Sequence, residues 1–242
     1  MAKTSKRQIN WHVSKIEQLF RHSGLFLWSL RGIEPDTLVT SHSDHWRGSA
    51  VKGSQIIAHN PVKYAQRNDF DDFEWLRDLR AYGGSDARSL ARRLIDSWII
   101  KNNRWSIKSW QPGTMAKRLT NLVLCFDWYG NSADKNFKEK ITKMVRLQAH
   151  CLAIDWSRLH HKEDRVSALK GLIIAEAGLG ASTNDLDSLI EFLIPIVDSM
   201  VNEDGGHKSR MPDKHLSVMR DLIEIRNTGL AKQINQLSWR NN

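Results

Sequence analysis

Apolar residues recur at spacings of three and four along most of this 242-residue chain, and strand-like alternation is scarce, so the chain is restricted to packing helix on helix. Capping signals divide the pattern. A first helix is predicted over about Trp11 to Trp28, with Val13, Ile16, Leu19, Phe20 and Leu27 on its apolar side. From Arg31 to Phe70 the periodicity fails, and frequent Gly, Ser, His and Pro predict a long irregular segment with one short extended piece at Gln55 to Ala58. Acidic residues at Asp71 and the pair Gly83-Gly84 bracket the next helix, after which Ser85 is expected to cap its successor. Pro112 suits a first turn and Gly130 a stop. Further helices are predicted over about Ser132 to Asp155, Glu163 to Leu179, Thr183 to Val201 (kinked at Pro195) and Pro212 to Ala231.

The expected fold class is therefore all-α, with antiparallel helix pairs joined by short loops. Periodicity alone leaves solenoid, bundle and α/α toroid open, and the absence of a common solenoid motif leans toward the last two. Residues 1–70 are expected to pack as an N-terminal helix and irregular segment on a helical domain over 71–232, followed by a polar tail, 233–242.

Two compositional features narrow the partners: ten Trp residues, and a formal net charge of +9. A basic surface concentrates polyanions such as uronate glycans, nucleic acid or anionic lipid without choosing among them. Each Trp reads more readily as core than as a ligand platform. Cys125 and Cys151, the only cysteines, sit in apolar helical surroundings and read as buried thiols, with one disulfide left open. No Cys/His spacing fits a zinc site, and neither a metal nor a cofactor is expected. The first ten residues are basic and polar with no apolar stretch after them, and no run is long enough to span a bilayer. The expected location is the cytoplasm, or the periplasm if residues precede Met1.

Three segments, taken in order, carry a resemblance. They are Phe73-Glu74-Trp75-Leu76-Arg77-Asp78-Leu79-Arg80 with Gly83-Gly84, then Trp105 to Arg118 with its Trp110, Pro112, Arg118 spacing, then Asp204-Gly205-Gly206-His207 followed by Ser209, Pro212, His215 and Leu216. Together they resemble the N-terminal helical domain of the heparinase II/III-like proteins. The resemblance implies an incomplete α/α toroid of polysaccharide-lyase type, truncated before the β-sandwich domain of complete members, which a separate chain could supply.

Lyases of this kind eliminate across a uronic acid, which requires a group to neutralise the carboxylate and groups to move protons. The resemblance assigns His207, His215 and Lys214 to catalysis, and Arg118, Trp110, Arg77, Arg80 and Arg210 to an acidic polysaccharide. Lys214 stands where lyase members carry a Tyr, and the Asn-His pair of active members has no counterpart in Leu169 to Glu176, which implies a catalytically impaired form. The plainer alternative makes Asp204 and His207 turn organisers, and has Arg80 and Arg118 bind helix C-terminal carbonyls or Asp partners in the core. A non-enzymatic polyanion-binding module is the second expectation, with acidic glycan favoured over nucleic acid because no nucleic-acid motif is present.

Overall fold

The computed structural model describes residues 12–32, 37–39, 44, 46–58, 64 and 70–227. Among the described residues the architecture is all-helical, as expected, and the sole β feature is one antiparallel bridge between Val201 and His207. Eleven α-helices are described: α1 (Lys15–His22), α2 (Gly24–Ser29), α3 (Ala50–Ala58), α4 (Trp75–Tyr82), α5 (Gly84–Lys101), α6 (Pro112–Leu124), α7 (Phe126–Tyr129), α8 (Lys135–Asp155), α9 (Lys162–Gly178), α10 (Thr183–Asp198) and α11 (Pro212–Arg226). Short 3-10 turns occupy Phe70–Asp72 and Trp156–Arg158.

Helix α9 is the hub. It packs against α6, α8, α10 and α11, which is why its sequence is apolar nearly all round and lacks the single stripe of a surface helix. Its closest neighbour is α6. A Cβ on Gly171 would lie 2.5 Å from the Ala116 Cα, and one on Gly178 would lie 2.7 Å from a Val123 methyl carbon. Both contacts advance by seven residues on each helix, so α6 and α9 run in the same direction at backbone-to-backbone range. Helix α8 lies between them in sequence and runs the opposite way, since the short link through Trp156–Arg158 joins its end to the start of α9 while Arg146 in its middle pairs with Glu176 near the end of α9.

Ion pairs extend the parallel set. Glu74 pairs with Lys117 and Arg80 donates to the Leu124 carbonyl, so α4 runs alongside α6. Glu163 pairs with Lys214 and Lys170 with Asp221, so α11 runs alongside α9. Two apolar clusters result. The larger joins α2 through α9 and includes Trp75, Trp98, Trp105 and Trp110. The smaller is built from Leu169, Ile173, Ile190, Leu193, Leu222 and Ile225 of α9 to α11.

Several expectations are corrected. The first helix is two helices, because Ser23 both closes α1 and accepts the Phe26 N–H that opens α2. Trp11 lies outside the described residues. Ile16, Leu19 and Phe20, expected in the core, face outward, because the other side of α1 carries Arg21 into a buried ion pair with Asp155. The extended piece at Gln55 to Ala58 is helical, as part of α3, where packing along α4 with Ile56 buried overrides local β preference. Ser85 does not cap α5, whose start is set by the positive φ of Gly83, and Asp134 instead caps α8. A capping box of Ser182 and Asp185 opens α10. That helix ends at Asp198, three residues beyond Pro195. Cys125 and Cys151 are buried and unbonded, and burial pushes the Cys125 thiol up to about 12.

The α6–α9 contact leaves no room for a side chain at one of two otherwise similar helical glycines. Gly171→Ala is expected to lower the unfolding free energy by about 1–3 kcal/mol, because Ala116 backbone atoms must move. Gly113→Ala, in open space, is expected to be neutral or to stabilise by about 0.5 kcal/mol. Urea denaturation midpoints of the two variants check the contrast.

Candidate functional site

The four parallel helices α4, α6, α9 and α11 surround a polar cleft of about 320 Å³. Its walls carry Arg77, Lys117, Asn121, Lys170, Arg220 and Glu224, among others. The floor is an ion network. Lys170, in the middle of an apolar run of α9, reaches Glu224 at 2.7 Å and Asp221 at 2.8 Å. Those two acids lie three apart on one face of α11. Glu224 also receives Arg77 of α4 at 2.7 Å, and Arg77 in turn bonds Asp44 at 3.0 Å. Arg80 joins Asp44 from the next turn. The Asp44 segment comes this close because Gly48 passes directly over the Arg77 backbone, where a Cβ would lie 2.2 Å from the carbonyl carbon.

The electrostatics follow from this shared burial. For Glu224, desolvation alone would raise the pKa, and the attraction of Lys170 and then Arg77 outweighs it, holding the carboxyl below its ordinary value of 4.5. Lys170 shows the converse: burial opposes its charge, but Asp221 and Glu224 hold it above the usual lysine value. Every cation of the floor is therefore bound to an acid of the protein itself, which makes the network a clasp between α4, α9 and α11.

The residues assigned from the family resemblance do not assemble into one site. Arg118 is fully enclosed behind the cleft wall and donates to Gln148 Oε1 at 2.8 Å, the Asp71 carbonyl at 2.6 Å and the Ser109 carbonyl at 2.8 Å. It also lies over the Trp98 ring at 4.2 Å. Burial pushes its pKa down to about 9, which leaves it charged at neutral pH. Trp110 is buried in the core. Arg80 holds the last carbonyl of α6, and Arg77 alone of the group lines the cleft, already paired. Arg210 is exposed in the turn before α11, with a φ of 52°.

His207 and Lys214 meet elsewhere, at the N-terminal ends of α9 and α11. Lys214 pairs with Glu163 at 2.6 Å, and His207 Nε2 lies 3.8 Å from the same carboxylate. His207 Nδ1 accepts the Ser209 N–H at 3.2 Å and lies 2.8 Å from Ser209 Oγ, so the ring organises its own turn. His215 sits one residue after Lys214, half-buried in the first turn of α11. The cleft between α4, α6, α9 and α11 is lined by neither His207 nor Arg118, so the two do not share it. Among the described residues, no cluster of three or more His, Cys, Asp or Glu is arranged to hold a metal ion, and no helix is long and apolar enough to cross a membrane.

Sequence reasoning missed Lys170, Asp221, Glu224 and Asp44. A signal for the first existed: a lone Lys inside Leu169-Lys170-Gly171-Leu172-Ile173-Ile174 needs buried acids, and the acids at Asp221 and Glu224 have the spacing of one helix face. Asp44 had none, since it lies in the irregular segment.

No family model matches the chain, and no solved structure gives a significant match. Among curated proteins, FtsZ-localized protein C of Caulobacter vibrioides (strain NA1000 / CB15N) is 31% identical over 156 residues, which is 63% of this chain and 26% of that protein. The aligned region thus spans about a quarter of the relative's length. This likeness corrects the expected function: the relative is named for its localisation with FtsZ and not as a polysaccharide lyase or a glycan-binding module. Three of the four arginines expected to bind uronate, Arg77, Arg80 and Arg118, are occupied by protein acids and carbonyls.

Two measurements test the network. Removing Arg118 orphans two buried carbonyls and Gln148, so Arg118→Ala is expected to cost about 3 kcal/mol or more of stability in a denaturant titration. The lowered pKa of Glu224 stabilises the fold fully above pH 4.5, and this contribution is lost as pH falls through the lower folded value. Glu224→Gln is therefore expected to destabilise the protein by about 2 kcal/mol at pH 7 and to flatten the acid limb of its stability profile. An unchanged acid limb would remove Glu224 from the clasp.

Proposed function

We propose that the chain is a non-catalytic helical module of the cell-division apparatus, localised with FtsZ as its Caulobacter relative is named for being. The observation that carries this is the 31% identity over 156 residues, well over half of the chain. The compartment this implies is the cytoplasm. Two buried thiols left unbonded to each other suit a reducing compartment.

The scaffold we propose is an incomplete α/α toroid of the heparinase II/III-like kind, put to use for assembly. In its favour, α4, α6, α9 and α11 share one direction around a polar cleft, and short connections return the chain through α8 and α10 on the way between them. The clasp of Lys170, Glu224 and Arg77 joins the first and last of these four helices. In such an arrangement the cleft floor is committed to holding the curve of helices, and outer faces remain for partners.

A fluorescent fusion of the full chain, imaged in dividing cells of the source organism beside labelled FtsZ, tests the proposal. The expected result is a band that appears with FtsZ and disperses when FtsZ is depleted. Diffuse signal indifferent to FtsZ would overturn it.

A further inference from the structure

The ion clasp uses up most of the charge around the polar cleft, and what it leaves over describes a ligand. Four basic and four acidic side chains line the cleft, so the lining is neutral in sum. Arg77, Lys170, Asp221 and Glu224 are joined in one network, and Lys117 is paired with Glu74. Two charges remain. Asp213 and Arg220, both exposed on α11, make no ion pair among the described residues. They stand seven positions apart, which places them on the same face of the helix, two turns or roughly 10 Å from each other. Arg220 is steadied by Trp46, whose ring centroid lies 4.8 Å from its guanidinium carbon.

Helix α6 supplies a third group. Asn121 lines the cleft and is only 2% exposed. Its amide nitrogen donates to the Asp72 carbonyl at 2.9 Å, which fixes the amide orientation, because the reverse would set two oxygens against each other. Asn121 Oδ1 is therefore the atom left over, buried and accepting no hydrogen bond from the protein. A buried carbonyl oxygen is costly to leave without a donor, so it selects an occupant with an N–H or O–H to give.

We infer that the cleft binds a free dipeptide as a zwitterion, its ammonium on Asp213, its carboxylate on Arg220 and its central amide N–H on Asn121 Oδ1. The constitution follows from the three groups: opposite charges at the two ends and a neutral donor between them. Two residues of extended chain reach about 7 Å. A hydrogen bond of about 3 Å at either end then carries the termini to side chains two turns apart. The cleft volume of about 320 Å³ is at the small end of the range for ligand pockets, which suits a molecule of this size. Both termini must be free, since a segment inside a longer chain brings neither charge. A polyanion or a polyamine would face like charge as well as unlike in so balanced a lining.

Titration of the full chain with glycylglycine, followed by calorimetry and by the shift in melting temperature, tests this without FtsZ, so its outcome is separate from that of the imaging experiment. The control is 5-aminopentanoate, which keeps the ends and the length and replaces the central amide by two methylenes. Glycylglycine is expected to saturate one site and raise the melting temperature. The control, and N-acetylglycylglycine, which lacks the ammonium, are each expected to bind about tenfold or more weakly. Asp213→Asn and Arg220→Gln, at exposed positions, are expected to keep the melting temperature of the free protein and to weaken glycylglycine binding about tenfold each. Asn121→Ala is expected to abolish the preference for glycylglycine over the control, and the two surface variants carry the test if that buried change prevents folding. Absence of saturable binding by glycylglycine, equal binding of the control, or folded surface variants that bind as the wild type does would each overturn the inference.

Discussion

The rest of the structure is arranged around the close contact between α6 and α9. Gly171 and Gly178 remove the side chains that would separate the two backbones, so α9 can sit at the centre and still be reached by α8, α10 and α11. A central helix touched on every side must be largely apolar, and beyond its charged first turn α9 is, apart from Ser167, Glu176 at its edge and Lys170 within. Lys170 carries a full charge into that interior, and the position of everything on the α11 side follows from where that charge finds its acids.

A buried ion network of this kind is costly in desolvation and gains chiefly in specificity. Lys170 can be satisfied only if Asp221 and Glu224 face α9 together, which fixes the rotation of α11 about its axis. Glu224 in turn receives Arg77, which fixes α4 relative to α11, and Arg77 and Arg80 share Asp44, which pins the irregular segment across them. A hydrophobic contact would tolerate small slides, whereas these contacts do not. The same pairing leaves neither Arg77 nor Lys170 free to meet a polyanion. The N-terminal helices obey a parallel rule at Arg21 and Asp155, where a buried pair determines which side of an amphipathic helix is inside.

The segments singled out in the sequence hold residues whose place in the structure is set by packing. Between Phe73 and His215 several of them do structural work: Arg118 gathers carbonyls, Trp110 fills the core, and His207 shapes the turn before α11. Function resides in sites placed on a fold, and these residues are placed where packing needs them.

Periodicity, capping residues and glycine stops were enough to read the all-helical class and, to within a few residues, α6, α8, α9, α10 and α11, because those signals act within one or two turns. The plainer reading of Arg80 as a ligand of a helix C-terminal carbonyl was also legible, since a buried arginine must find acceptors. Three things were decided only by tertiary structure: that the apolar side of α1 faces out, that Gln55 to Ala58 is helical, and that Asp44, Arg77, Lys170 and Glu224 converge. Each depends on partners distant in sequence, 134 residues apart for Arg21 and Asp155 and 147 for Arg77 and Glu224. Local pattern specifies which side of a helix is apolar; the energy of burying a charge far along the chain specifies which side is turned inward.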